Sequence, residues 1–386
     1  MTEYSTGASA YIGRTFENRP VFFSPITQIY NRNPPTTLFT GSPGSGKTYG
    51  CSLVIMNSVM SGIQTTVIDS KGDLLSLTNF KDEIDDLTVW NLTGDGQAGL
   101  LDPFYLVDSP GEKIALARSV IEMLIAGGIT KDEEAILNPL LKDLVASRQA
   151  SLMRVVQELR RDRDKTARNL GSRLDAMSHM EGGRLCFAPY SEKRGVKNLA
   201  KNLTIITFPG LSLPSPDDKN RDDASRMAEV LIFLITYLIK RRLLSDPTNK
   251  YPKLLVIDEA WQVVGNANGA KLVEEIALLG RSMNSALILA TQNNTHLAKL
   301  DVENTIATRF AFRCAQNEAE ITVKSLGLAE GEGFEELFTS VLTTGDAIML
   351  DSSKRHSLIR FETFRQEYGD KLASNPKQEI LQEVVI

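Results

Sequence analysis

TLFTGSPGSGKTYG, residues 37–50, decides how the rest of this chain is read. Gly41, Ser42, Pro43, Gly44, Ser45, Gly46, Lys47 and Thr48 follow the spacing G-x-x-x-x-G-K-T, between a β-rich run, Thr36 to Thr40, and an apolar stretch with helical spacing. Glycines let the backbone bend into a nest of N–H donors, and the helix that follows adds positive potential at its N-terminus. Such a loop cradles phosphates. Lys47 is placed to reach the β- and γ-phosphates of a nucleotide, and the Thr48 hydroxyl to ligate an Mg²⁺ that bridges phosphate oxygens. These eight residues form the expected nucleotide-binding loop.

A loop of this kind needs a carboxylate on a neighbouring strand to complete the magnesium shell. Lys253-Leu254-Leu255-Val256-Ile257-Asp258-Glu259 supplies an apolar strand ending in two acids. Asp258 reads as the metal-side carboxylate and Glu259 as the group that polarises an attacking water, a role that needs an ionised carboxylate within one water of the γ-phosphate. Further on, a strand from Ala286 to Ala290 ends in Thr291 and Gln292, at the carboxyl end of an open sheet where ligands bind, so Gln292 is a candidate sensor of the γ-phosphate. Arg281, in Gly280-Arg281-Ser282, ends the preceding helix. It is suited to reach across a subunit boundary as a finger for transition-state charge, the alternative being an arginine that complements its own helix dipole. Asp69 and Asp73 in VIDSKGDL (67–74) either support the metal water or shape a turn. Arg313 faces a neighbour's nucleotide or sits in a buried ion pair.

The 386 residues are 42% hydrophobic and 24% charged, enough apolar content for two domains or one large domain with an insertion. A net charge of −5 argues against a basic coat for general nucleic-acid binding but leaves a local patch or a ring's pore open. Cys51, Cys186 and Cys314 lie far apart, and His179, His296 and His356 are scattered, so neither a disulfide framework nor a zinc site is indicated. The longest apolar run, Val230 to Ile239, is about half a membrane span. The chain reads as soluble and cytoplasmic.

Apolar runs at Thr36–Thr40, Thr65–Ile68, Leu87–Trp90, Leu203–Phe208, Leu254–Ile257, Ala286–Ala290 and Phe310–Arg313 alternate with helical stretches. This is the pattern of a parallel α/β sheet covered on both faces. Ala347–Leu350 and Leu358–Phe361 are close enough to form a hairpin at one edge. Residues 108–183 hold no convincing strand, and two apparent capping boxes, Ser109-Pro110-Gly111-Glu112 and Thr130-Lys131-Asp132-Glu133, mark helix starts there. We expect an all-helical insertion dividing the α/β domain into 1–107 and 184–370, with a tail over 371–386. The basic stretch RRDRDKTARNLGSR (160–173) is either a solvated, ion-paired face or a contact for an anionic polymer. Flexible segments are expected at residues 1–8, at Leu211–Asp222 and after Asp370, and Trp90 and Trp261 read as packing residues.

Taken in order, GSPGSGKT (41–48), VIDSKGDL, LDPF (101–104), LLVIDEAW (254–261), LLGRSMNSALILATQN (278–293) and RFAFRCAQNEAE (309–320) resemble the FtsK/HerA superfamily of hexameric P-loop motors. The DEAW at Asp258–Trp261 and the spacing of GRSMNSALILATQ resemble most the conjugation and type IV secretion ATPases of the TraC class, whose motor domains carry a helical insertion. The resemblance implies a RecA-like P-loop NTPase fold with a mainly parallel central sheet flanked by helices, and Mg²⁺-dependent hydrolysis of ATP. It implies Lys47 and Thr48 at phosphate and magnesium, Asp258 in the magnesium shell, Glu259 as base, Gln292 as sensor and Arg281 as a finger supplied in trans. It also implies a homohexamer that meets a type IV secretion channel or coupling proteins at the inner face of the cell membrane. VIDSKGDL also resembles the DNA coupling proteins of the same machines, so the resemblance leaves DNA as a candidate partner and an FtsK/HerA-type DNA translocase or DNA coupling protein as the alternative function. A platform that binds ATP without hydrolysing it would not need Glu259. Forty residues precede Gly41, where such ATPases usually carry a sizeable N-terminal domain, so the chain corresponds to a motor domain or to a short relative.

Overall fold

The β-rich run before the glycine loop becomes β3, Thr36–Thr40, and every residue of it is buried. The computed structural model describes residues 9–92, 98–187, 202–208, 222–244, 251–260, 267–292, 303–329 and 331–373. The expectations for residues 1–8, 211–221 and 374–386, for His296 and for Trp261 lie outside them, whereas residues 371–373, expected in the tail, end a helix over Gln366–Ala373.

Around β3 the strands are β1 (Ala10–Thr15), β2 (Pro20–Phe23), β4 (Gln64–Asp69), β5 (Leu87–Asn91), β6 (Leu203–Thr207), β7 (Lys253–Asp258), β8 (Ser285–Thr291), β9 (Ile306–Phe312), β10 (Asp346–Leu350) and β11 (His356–Phe361). They form one sheet in the order β2-β1-β11-β10-β9-β3-β8-β7-β4-β6-β5. From β9 to β6 all neighbours are parallel. β9, β10, β11, β1 and β2 pair antiparallel. β3, β6, β7, β8 and β9 are buried along their whole length, as strands covered on both faces should be. The β10–β11 pair is the expected hairpin.

Three expectations change. β9 begins at Ile306 and ends at Phe312, so Arg313 lies beyond the strand; buried Thr308 and Arg309 disguise its start as a polar segment. Gln28 donates a hydrogen bond to the Thr308 hydroxyl, which lets that polar residue sit in the core. The hairpin of β1 and β2 was not expected at all, because it lies at the sheet edge, is only partly buried, and carries little alternation. Ser109 occupies the N-cap position without a side-chain hydrogen bond, and Pro110 at N1 starts that helix through its fixed φ instead. Thr130 does make its capping box with Glu133.

The helices are α1 (Pro25–Tyr30), α2 (Lys47–Met60), α3 (Pro103–Leu106), α4 (Pro110–Leu124), α5 (Lys131–Ala146), α6 (Leu152–Arg161), α7 (Lys165–Ser178), α8 (Gly183–Cys186), α9 (Asp223–Leu244), α10 (Ala267–Leu279), α11 (Gln316–Ser325) and α12 (Gln366–Ala373). Two compact units divide the chain. One is drawn from Met1–Trp90, Ala200–Thr207 and Ile239–Val385, the other from Asn91–Leu199 and Phe208–Leu238. The first holds the sheet, with a core in which Phe39, Phe310, Phe312 and Phe361 pack ring on ring at 4.7 to 6.4 Å between centroids. Trp90, the penultimate residue of β5, is buried.

The second unit is helical over the described residues 98–187. Asp102, in the LDPF sequence, caps α3 through the Phe104 N–H at 3.1 Å and accepts the Leu152 N–H at the start of α6 at 3.0 Å. One fully buried carboxyl group thus ties two helix starts together, and burial pushes it up to about 8 against the opposing pull of those two N–H groups. In the basic stretch, Arg160 pairs with Asp175 at 2.6 Å and Arg173 with Glu133 at 2.7 Å. Arg168 donates to the carbonyls of Asp162 and Arg163. These bonds favour the ion-paired helix face.

Candidate functional site

Parallel pairing brings the ends of four strands into line. Thr40 at the end of β3 stands opposite Thr291 of β8, and Asp69 of β4 stands opposite Asp258 of β7. Open α/β sheets bind ligands outside such carboxyl ends. Here the glycine loop leaves β3, Asp258 and Glu259 leave β7, Gln292 leaves β8, and the VIDSKGDL turn leaves β4.

The loop has the shape its composition requires. Gly46 caps α2 with φ of +95°, and a Cβ there would sit 2.5 Å from the backbone nitrogen of Gly345. Only glycine fits. The segment before β10 grips the loop from behind: Thr344 Oγ1 donates to the Gly44 carbonyl at 3.0 Å and the Gly345 N–H to the Ser45 carbonyl at 2.9 Å. On the other side the Ser42 N–H donates to the Arg313 carbonyl at 2.9 Å.

Below the loop lies a cavity of about 420 Å³, lined by Ser42, Pro43, Gly44, Gly46, Lys47, Thr48, Tyr49, Asp73, Glu259, Gln292 and Thr344. Lys47 Nζ meets Asp258 Oδ1 at 3.0 Å, with both side chains 5% exposed or less. Burial alone would lower the Lys47 ammonium; the Asp258 carboxylate more than offsets it and holds the group above an ordinary lysine. Glu259, 1% exposed, takes a left-handed φ of +50°, uncommon for a residue with a Cβ. Its Oε1 accepts from Lys71 Nζ at 2.9 Å and from Gln292 Nε2. Thr48 and Asp258 provide one hydroxyl and one carboxylate, a donor set that suits Mg²⁺, which takes one or two protein ligands together with phosphates and water.

Lys47, Thr48, Glu259 and Gln292 converge on the cavity wall, and Asp258 joins them through its ion pair with Lys47. Arg281 is not among the residues lining the cavity; it is exposed two residues beyond α10 and donates to the Arg32 carbonyl at 3.1 Å. Asp69 shapes a turn, accepting the N–H groups of Gly72 and Leu74 at 2.8 Å and of Asp73 at 3.1 Å. Burial, partly opposed by the Leu74 and Gly72 N–H groups, raises it to about 6. Asp73 reaches the cavity wall. Sequence reasoning missed Lys71, although its neighbours were singled out, and Thr344, which lies 300 positions from the loop it supports. The three cysteines are free and buried.

A phosphate loop after one strand and an acid pair after the next strand but one, with a glutamine after the strand between, define a P-loop NTPase. The chain belongs to the AAA-like domain family, whose pattern matches residues 19–369. Its fold resembles that of VirB4 from Thermoanaerobacter pseudethanolicus, with a TM-score of 0.65 and 15% identity, over 95% of this chain and 100% of that one. Among known sequences it is 28% identical over 271 residues to the conjugal transfer protein TrbE of Rhizobium radiobacter, a match covering 67% of this chain and 29% of TrbE. It is 20% identical over 367 residues to the uncharacterized protein YddE of Bacillus subtilis (strain 168), covering 90% of this chain and 43% of YddE. The chain thus spans less than half the length of either relative. No helix among the described residues is long and apolar enough to cross a membrane.

Proposed function

We propose that this chain is the ATP-hydrolysing motor of a conjugative or type IV secretion machine, working as a ring, in the simplest case a homohexamer, and energising substrate transfer or pilus and channel assembly. The convergence of Lys47, Glu259 and Gln292 on the cavity beside the phosphate loop, with Asp258 paired to Lys47, carries this reading. Lys47 leaves Asp258 to bind the β- and γ-phosphates. Glu259 orients the attacking water and takes its proton, and Gln292 registers the γ-phosphate. Thr48 and Asp258 would hold Mg²⁺, which when bound neutralises charge on the phosphate oxygens as the bond breaks.

The likeness to a conjugal transfer protein and to the fold of VirB4 supports a secretion role over a DNA pump. A trans role for Arg281 is supported by its exposure beside Leu278 and Leu279, which are 74% and 46% exposed; neighbouring apolar side chains left in water suit a protein contact. In this reading the chain is cytoplasmic, held at the inner face of the membrane by the channel or coupling proteins it energises.

The test is steady-state ATP turnover across a series of protein concentrations, with no DNA, single-stranded DNA or duplex DNA, and Glu259→Gln as the blank. Turnover per subunit should climb with concentration independently of DNA. Glu259→Gln should bind ATP and lose turnover by about 10²- to 10⁴-fold, the usual contribution of a general base. Strong stimulation by duplex DNA would move the assignment to a DNA translocase, and turnover surviving in Glu259→Gln would remove Glu259 as the base.

A further inference from the structure

Lys71 lies in the VIDSKGDL segment, where Asp69 and Asp73 attract attention first, and it has no part in the scheme above. Its ammonium stands 2.9 Å from Glu259 Oε1. The pair is asymmetric: the lysine side chain is 42% exposed and the glutamate 2%. A buried carboxylate needs a partner, because an unpaired charge at such a site is strongly unfavourable. Lys71 supplies the positive charge while staying within reach of solvent.

The backbone that carries this lysine is set by a turn. Asp69 at the end of β4 accepts the N–H groups of Gly72, Asp73 and Leu74, closing the turn whose apex carries Lys71. Gly72 completes the turn with φ of +87°. From the other side, Gln292 donates to the same Oε1. Glu259 is therefore held between the turn after β4 and the end of β8, on a backbone with positive φ that a non-glycine residue adopts only when its surroundings enforce it. Two donors on one oxygen, one of them charged, fix where that carboxylate points.

We propose that Lys71 is a positioning residue for hydrolysis: it acts through Glu259, holding the carboxylate aimed at the cavity, without touching the nucleotide itself. The inference rests on the reading of Glu259 as the base. It follows that the turn after β4, which also places Asp73 at the cavity wall, can change turnover without changing nucleotide binding.

The experiment compares the full chain with Lys71→Met, Lys71→Arg, Glu259→Gln and the double variant Lys71→Met/Glu259→Gln, measuring kcat, KM for ATP and affinity for a non-hydrolysable ATP analogue. Misaiming a catalytic group by about an ångström costs up to about 100-fold in rate. Lys71→Met should lower kcat by about 10- to 100-fold, with KM and analogue affinity within about twofold of the parent, and Lys71→Arg should recover most of the loss. The double variant should be no slower than Glu259→Gln alone, since a residue that acts only through Glu259 has nothing left to position. A parent faster than Glu259→Gln but equalled or exceeded by Lys71→Met overturns the Lys71 inference alone. Loss of analogue affinity in Lys71→Met, or a double variant slower than Glu259→Gln, also overturns it, because the lysine then acts on the nucleotide or on the fold. A parent no faster than Glu259→Gln overturns the base assignment, and the inference falls with it.

Discussion

Lys47 and Asp258 spend the same charges twice. They neutralise each other across 3.0 Å in a site almost closed to water, and each is also the group that phosphate and magnesium would claim. Lys47→Ala removes the phosphate contact and leaves Asp258 facing the phosphates without its counter-charge. Nucleotide affinity should fall by about tenfold or more, a loss of about 1.4 kcal/mol, and turnover should vanish. Isothermal titration with an ATP analogue checks this, and unchanged affinity would count against the phosphate-loop assignment. The Lys71–Glu259 pair differs in kind. One partner is in water and the other is not, so it steers a side chain more than it stabilises a fold.

Elements carry two further expectations. The glycine loop keeps its form because the turn before β10 closes on it, and Gly46→Ala would push a Cβ into the Gly345 backbone while holding alanine at a φ of +95°. Strain of this sort costs about 1–3 kcal/mol. The variant should melt lower than the parent and bind ATP analogues more weakly, as thermal denaturation with and without ligand would reveal. In the helical unit, Asp102 has an ordinary value near 3.8 when the chain is unfolded and about 8 when folded. The folded state holds the proton more tightly, so the stabilising effect of a neutral Asp102 is complete below about pH 4 and fades as pH rises through 8. Between pH 6 and pH 8 the wild type should lose on the order of 1 kcal/mol per pH unit relative to Asp102→Asn, which cannot ionise. Chemical denaturation at pH 6, 7, 8 and 9 measures this difference, and parallel pH curves for the two proteins would rule the mechanism out.

At the scale of the whole molecule the open matter is what completes the site. Glu259, Gln292, Lys47 and Thr48 line one cavity in a single chain, and Arg281 stands outside it. If a neighbour in a ring supplies that arginine, Arg281→Ala should lower kcat by about 10³-fold or more, the usual worth of an arginine finger. Mixing Arg281→Ala with Glu259→Gln should then restore part of the turnover, since some interfaces receive an intact base from one subunit and an intact finger from the next. Mixtures no faster than the sum of their parts would point to a role for Arg281 within its own chain, such as its bond to the Arg32 carbonyl.

Much of this was legible in the chain itself. The phosphate loop, the acid pair and the buried parallel strands are local patterns: glycine spacing, an apolar run ending in carboxylates, and continuous β-branched stretches each follow from the physics of a few adjacent residues. For the same reason Thr130 was legible as a cap. The edge hairpin of β1 and β2 was not, because a half-exposed edge strand shows little periodicity, and the start of β9 was hidden by polar residues that only a tertiary partner such as Gln28 makes acceptable in a core. Lys71 beside Glu259 is a meeting of residues 188 positions apart, and Thr344 meets the phosphate loop across 300. Residue type and short spacing marked out the phosphate loop and the acid pair, since both are local patterns. The tertiary structure decided which distant groups hold them in place, since strand order and register alone choose whose side chain stands opposite whose.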